Sequence, residues 1–327
     1  MVLVGVGALV VGMQQRAAPG RATASAAISP IDSGPIASFD TPGMFADPEA
    51  GSPEDIAPSV VRVEGHQNGA GVVVDDTGIV LTSADVVGNL PDVTVSFDDG
   101  TSLTATNLGT DPVTNLAVVN LPGDGYPAAR LLGPTELARD DAVVCVVVDD
   151  DGFRTVAGTV TAPRVPLRRE DDTILDGLIQ IEPASVTSPE RLGCAVVDGS
   201  GAVLAIATSH DSLWYYATPI DVARKVANDV LLTGAARHAW IGILSADTDD
   251  RPGVVLAGVD QDGPAAGELR RGDVITEIDG TPVPNVSTLV AVLQTCSPGQ
   301  DVDVAFERDG EPDEVTVELA RLPRSGG

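Results

Sequence analysis

A hydroxyl or thiol attacks a carbonyl only when a neighbouring base can take its proton, so the histidines and the nucleophilic side chains come first. The chain has three histidines, His66, His210 and His238, and three cysteines, Cys145, Cys194 and Cys296. His210 stands between Ser209 and Asp211, which puts three residue types of acid–base chemistry in one stretch. A lone histidine among polar neighbours is also the ordinary make-up of a surface loop. Cys194 opens the apolar run Ala195-Val196-Val197, where a cysteine is more commonly inert core than catalyst. Three cysteines without metal-site spacing hold neither a zinc ion nor a disulfide scaffold, and one bridge plus one free thiol is the most they allow. No metal and no cofactor is expected. Two short motifs complete the set: an apolar loop around a glycine, Trp240-Ile241-Gly242-Ile243, and Arg271-Gly272-Asp273. The second is an adhesion tripeptide by its letters, but its place before Val274-Ile275 reads as turn geometry.

The elements that must position these residues are mostly strands. In a chain of 327 residues, about 150 residues per domain predicts two domains, with room for a third. A composition 43% hydrophobic and 20% charged supports real cores and rules out disorder throughout. The formal net charge of −29 leaves no electrostatic footprint for phosphate backbones, so nucleic acid is not an expected partner. Residues 1–13 are continuously apolar and predict a membrane or signal segment. At 1.5 Å per residue they reach about 20 Å, less than the roughly 30 Å of a hydrocarbon core, which fits a segment whose upstream part is cut off. Residues 14–55 carry six prolines among Ala, Ser, Gly and Asp and read as a disordered linker. Membrane contact is expected through the N-terminal segment only, with the folded part extracytoplasmic.

From residue 56 the pattern changes to short β-branched runs such as Val60-Val61-Arg62-Val63 and Gly71-Val72-Val73-Val74, broken by turn signals such as Asp76-Thr77-Gly78 and Asp99-Gly100. Many short strands with almost no helix predict antiparallel barrels or a sandwich. One helix is expected over residues 220–232, stopping at Thr233-Gly234. A second unit, residues 236–322, has an amphipathic helix carrying Val286, Leu289, Val290 and Leu293 at helical spacing, and residues 323–327 are a tail.

In order and spacing these fragments resemble the HtrA-like family, a trypsin-like double β-barrel protease (residues 56–234 here) followed by a C-terminal PDZ domain of α+β type. The fold class implied is mainly β. The matching stretches include Gly69-Ala70-Gly71-Val72-Val73-Val74, Leu81-Thr82-Ser83-Ala84-Asp85-Val86-Val87, Thr110-Asp111-Pro112-Val113-Thr114-Asn115-Leu116-Ala117-Val118 and Gly193-Cys194-Ala195-Val196-Val197-Asp198. The PDZ half matches through Trp240-Ile241-Gly242-Ile243, Gly263-Pro264-Ala265-Ala266 and Gly272-Asp273-Val274-Ile275.

The family's catalytic residues do not carry over. Its histidine falls on Asp85, its aspartate on Asn115 and its nucleophilic serine on Leu192. Leu192 has no attacking atom, an aspartate of pKa near 3.9 is a poor base for a hydroxyl, and Asn115 has no charge with which to stabilise a cation. Glu190 replaces a turn glycine near the oxyanion hole, and loss of a triad costs about 10^6-fold in a comparable serine protease. These replacements predict a pseudoenzyme of the trypsin-like serine endopeptidase family with no catalytic residues. Two alternatives stand beside it: an active endopeptidase with a relocated site, for which Ser188 with His210 is conceivable, and a regulatory subunit of an active HtrA homologue.

The resemblance further implies partners that are protein C-termini or unfolded polypeptides, and a homo-oligomer or assembly with an active homologue. For the peptide site the expected residues are Trp240, Ile241, Gly242 and Ile243, whose backbone amides could converge on a carboxylate, with Val290 and Leu293 forming the side-chain pocket. In the trypsin-like fold the strands of Cys145 and Cys194 are neighbours, so the pair forms either a disulfide or two buried thiols. Cys296, at the end of the PDZ helix, is expected to alkylate without reduction in either case.

Overall fold

The structure, a computed structural model, describes residues 51–133, 137–149, 152–185, 192–211, 213–248 and 251–323. The apolar segment 1–13, the linker as far as residue 50, Ser188, Glu190 and the tail from 324 lie outside the described residues. Among those described, no helix is long and apolar enough to cross a membrane. A 3-10 helix over Pro53–Ser59, started by the Ser52 N–H donating to the Asp55 carboxylate at 2.8 Å, leads into the first barrel.

Six strands close the first barrel: β1 (Val60–Glu64), β2 (Asn68–Val73), β3 (Ile79–Ser83), β4 (Asp92–Ser96), β5 (Ser102–Asp111) and β6 (Leu116–Asn120), in the order β1-β2-β3-β6-β5-β4. One-turn helix α1 (Ala84–Val87) follows β3. Side-chain alternation sets which face points in. Val93 and Val95 of β4 are buried while Asp92 and Thr94 are exposed, and each buried valine contributes about 1.5–3 kcal/mol of apolar transfer. The two turn signals are hairpin turns as expected, with Gly78 at φ 90° and Gly100 at φ 85°, a region open to glycine because it has no Cβ.

The second barrel is built the same way from β7 (Ala142–Asp149), β8 (Gly152–Arg168), β9 (Ile174–Pro183), β10 (Ala195–Val197), β11 (Val203–His210) and β12 (Tyr215–Pro219), closed in the order β10-β11-β12-β9-β8-β7. Helix α2 (Ile220–Thr233) ends where its sequence stops it, at Gly234 in the left-handed conformation. Its Ala223, Val226 and Val230 join Val118 of one barrel and Val146 and Ile206 of the other in a single apolar cluster. The barrels are thus sealed to each other by shared core.

The C-terminal unit contains β13 (Ala239–Trp240), β14 (Ile243–Asp247), β15 (Val254–Val259), β16 (Val274–Ile278), β17 (Thr281–Pro282), helix α3 (Val286–Thr295), β18 (Asp301–Arg308), β19 (Glu311–Glu318) and β20 (Ala320–Arg321). Its sheet runs β14-β15-β16-β18-β19, which leaves β14 at an edge beside α3. Asn285 caps α3 by accepting the Thr288 N–H at 2.9 Å. Helix α3 also packs against β9 of the second barrel, where the Gln294 amide donates to the Asp176 carbonyl at 3.3 Å.

Candidate functional site

Asp85 and Asn115 meet in a cleft between the barrels; with Leu192 they are the residues that the resemblance sets against the family's triad. Asp85 is the second residue of α1, its N–H donating to the Ser83 hydroxyl at 3.3 Å. Its carboxylate accepts the Asn115 amide at 2.9 Å on one oxygen and the Arg169 guanidinium at 2.8 Å on the other. Arg169 comes from the β8–β9 hairpin, so an ion pair crosses the cleft. That hydrogen bond raises the Arg169 pKa further above its already high value. Asn115 is buried at φ 57°, and its amide also donates to the Thr208 carbonyl at 2.7 Å. Asparagine is one of the few side chains that takes a left-handed backbone at little cost. Leu192 is buried in the first barrel's apolar cluster, and its carbonyl accepts the Ala70 N–H at 2.8 Å. The next amide, Gly193, donates to Ala207 at 2.7 Å. A side chain at 193 would meet the Ala70 carbonyl at 1.9 Å, which is why this position is glycine.

The candidate dyad is only partly in view. Ser188 lies outside the described residues, whereas His210 is exposed at the end of β11 with Nδ1 3.3 Å from the carbonyl oxygen of Asp211. No group of His, Cys, Asp and Glu suited to a metal ion occurs among the described residues.

Cys145 and Cys194 are adjacent, as neighbouring strands require, but they are two free buried thiols in this structure, so the disulfide alternative is not the one it contains. A hydrogen bond with Cys194, together with burial, pushes the Cys145 thiol up in pKa. Cys296 is a free thiol as well, in keeping with the expectation that it takes no part in a bridge; it follows α3 and is 5% exposed, its Sγ donating to the Val292 carbonyl.

The second site is a cavity between β14, α3 and the loop joining β13 to β14. Trp240, Ile241, Ile243, Val290 and Leu293, all expected there, line it together with Leu289. Gly242 forms the turn at φ 81°, and a Cβ on it would lie 2.8 Å from the Cα of Gly263. Among the described residues neither the Ile241 nor the Gly242 N–H donates a hydrogen bond, while the Ile241 and Gly242 carbonyls accept from Ala265 and Asp260. The site's acceptors are thus occupied and two of its donors are not.

Sequence reading missed Ser245, Gln294, His238 and Val113 in this lining. The first two follow from period 2 along β14 and from the turn after Val290 on α3. Val113 belongs to the first barrel, 125 residues before His238, and nothing local signals it. His238 Nε2 and an Asp111 carboxylate oxygen lie 2.9 Å apart, both side chains almost wholly buried. Burial raises the Asp111 pKa, but the hydrogen bond and charge of His238 and the donors of the Val113-Thr114 turn outweigh it, leaving the carboxyl below its ordinary value.

Two closed six-stranded antiparallel barrels joined to a helix-flanked sheet with a glycine loop define a trypsin-like domain with a PDZ domain. Residues 69–206 match the trypsin-like peptidase domain family and residues 239–319 the PDZ domain family. The chain belongs to the HtrA-like family. It is 30% identical over 295 residues to a probable periplasmic serine endoprotease, DegP-like, of Halomonas elongata, covering 83% of this chain and 61% of that protein. The serine protease PepD of Mycobacterium tuberculosis is 26% identical over 314 residues, covering 84% of this chain and 67% of that one. Among solved structures, the HtrA-type protease AlgW with tripeptide superposes with a TM-score of 0.64 at 25% identity, covering 83% of this chain and 96% of that one. The chain spans somewhat over half the length of the first DegP-like relatives it matches.

These relatives correct the expectation that the chain is not an enzyme. They are named serine endoproteases and proteases, so the family points to peptidase activity. The residues expected at the triad positions, Asp85, Asn115 and Leu192, do not by themselves establish inactivity.

Proposed function

We propose that the chain is an HtrA-type protein working outside the cytoplasm that captures polypeptides by their C-terminal ends in the PDZ groove. The observation carrying this reading is the apolar cavity beside an unpaired strand edge, with the Ile241 and Gly242 N–H groups unused at its end. An extended peptide would add a strand to β14, place its terminal carboxylate against the two amides and its last side chain in the cavity. Fluorescence anisotropy of a labelled apolar-ended peptide with the full chain tests this. The free acid should bind at least tenfold more tightly than the C-terminal amide, and equal binding would remove the carboxylate from the reading.

The names of the relatives favour a second activity, hydrolysis of the captured polypeptide in the barrel cleft. Leu192 supplies no nucleophile, so this chemistry requires a serine elsewhere. Ser185, exposed after β9, and Ser188 with His210 are the candidates. Labelling by a serine-directed fluorophosphonate, mapped by mass spectrometry, together with casein cleavage lost in Ser188→Ala or His210→Ala, would support that site. An unlabelled chain that leaves casein intact would count against it.

A further inference from the structure

We infer that the first barrel sets the size of the side chain that the PDZ pocket accepts, with Val113 as the limiting wall, so that the ligands are polypeptides ending in a small aliphatic residue such as alanine or valine. This rests on the reading of the groove as a peptide site. The cavity amounts to about 80 Å³, whereas an apolar void of roughly 150 Å³ is what takes up a benzene ring. A valine side chain is therefore accommodated and a phenyl ring is not, unless a wall withdraws.

The wall contributed by the barrel is tied in place. Val113 sits on the turn between β5 and β6, which Asp111 gathers by accepting the Val113 N–H at 3.2 Å, the Thr114 N–H at 3.3 Å and the Thr114 hydroxyl at 2.5 Å. Asp111 is 2% exposed and is in turn held by His238, which lines the same cavity at the start of the PDZ unit. Moving Val113 outward would strip a buried carboxylate of partners it cannot replace with water, and a packed wall of this kind resists withdrawal more than it deforms. Trp240, Val290 and Leu293 border the cavity from the PDZ side. Selectivity in the groove is thus a property of both domains together, with Asp111 as a positioning residue.

The test uses the full chain and one labelled peptide body ending in Ala, Val, Leu or Phe. In the wild type the Val-ended peptide should bind at least tenfold more tightly than the Phe-ended one. Val113→Ala opens the wall without touching the PDZ unit, and should strengthen Phe-ended binding about tenfold while weakening Val-ended binding about threefold. Asp111→Ala, checked for folding by circular dichroism, should narrow the Val-to-Phe ratio although its side chain does not line the cavity. Equal wild-type affinity for the Val- and Phe-ended peptides, or an unchanged ratio in Val113→Ala, overturns the inference while leaving the peptide groove standing. Failure of every peptide to bind the wild type overturns the groove reading and this inference with it.

Discussion

Asn115 shows how far one side chain's surroundings can be from what the family's pattern would put there. Its amide is a donor between two acceptors, the Asp85 carboxylate at 2.9 Å and the Thr208 carbonyl at 2.7 Å. Asn115→Asp would replace a donor with a second carboxylate facing the first, the new one buried while the Asp85 side chain is 27% exposed. Like charges at this range drive one group toward protonation, and an unpaired buried charge costs about 3–5 kcal/mol. The variant should lose roughly that much stability at pH 7, and the deficit should shrink at pH 5 as the mutant carboxyl takes up its proton, measured by urea denaturation at both values. A deficit independent of pH would place its cause elsewhere. The cysteines give a residue-scale test of packing. Cys145, Cys194 and Cys296 are all buried and free, so a thiol reagent should label none in the native protein and all three after denaturation without reductant. If only one reacts in the denatured, unreduced chain, Cys145 and Cys194 are bridged. Asp85, Asn115 and Leu192 were singled out from the sequence by setting its short motifs against the family's pattern. Arg169 as partner of Asp85 was not, since the pairing spans 84 residues and exists only once both barrels are closed.

Among the elements, the β8–β9 hairpin departs most from the expected pattern. Pro163 and Pro166 argue against a continuous strand because proline cannot donate to a ladder, yet β8 runs from Gly152 to Arg168. The pairing shifts register at Val160/Ala162, Ala162/Val165 and Val165/Leu167, and these irregularities let the two prolines sit without breaking the hairpin. The helices were readable because α2 and α3 carry their stop signals, Gly234 and Ser297-Pro298, in the sequence itself. On the returning strand β9, Asp176 is 7% exposed with one carboxylate oxygen lacking a partner. Burial raises its pKa, against the opposing bonds from Ser287 and the Gly177 N–H. A raised folded-state pKa means a stability penalty that is complete above that pKa and fades as pH falls through it toward the unfolded value near 3.8. Asp176→Asn removes the charge, so the variant should be more stable than the wild type at pH 7 by about 1 kcal/mol, with the advantage shrinking as pH is lowered toward 4. Thermal melts of both proteins across that range check it, and a constant difference would assign the gain to packing. Asp111 acts with the opposite sign. Its lowered pKa contributes stability that is present above about 3.8 and lost as pH falls through the folded-state value.

At the scale of the whole molecule, the order of domains was legible and their docking was not. Each barrel and the PDZ unit announces itself through local strand patterns and turns, whereas the seam between them depends on contacts 118 to 127 residues apart, Gln294 with Asp176 and His238 with Asp111. Gly177 lies on this seam at φ 71°, where an added Cβ would stand 2.9 Å from Gln294 Oε1 and 3.2 Å from the Cβ of Ala291. Gly177→Ala therefore combines a left-handed backbone penalty of about 1–2 kcal/mol with a clash against α3. Only the clash is relieved by separation of the PDZ unit from the barrels. Gly100 isolates the first effect, because it has φ 85° but nothing within 4 Å of an added Cβ. Gly100→Ala should lower the melting temperature of the barrel transition without changing its shape. Gly177→Ala should in addition split or broaden the transition in calorimetry and speed proteolysis in the segment 234–238 that joins the two units. If the two variants melt with the same profile and are cleaved at the same rate, α3 does not depend on the absence of a side chain at 177, and the PDZ unit is held by the Asp111–His238 pair and its neighbours instead.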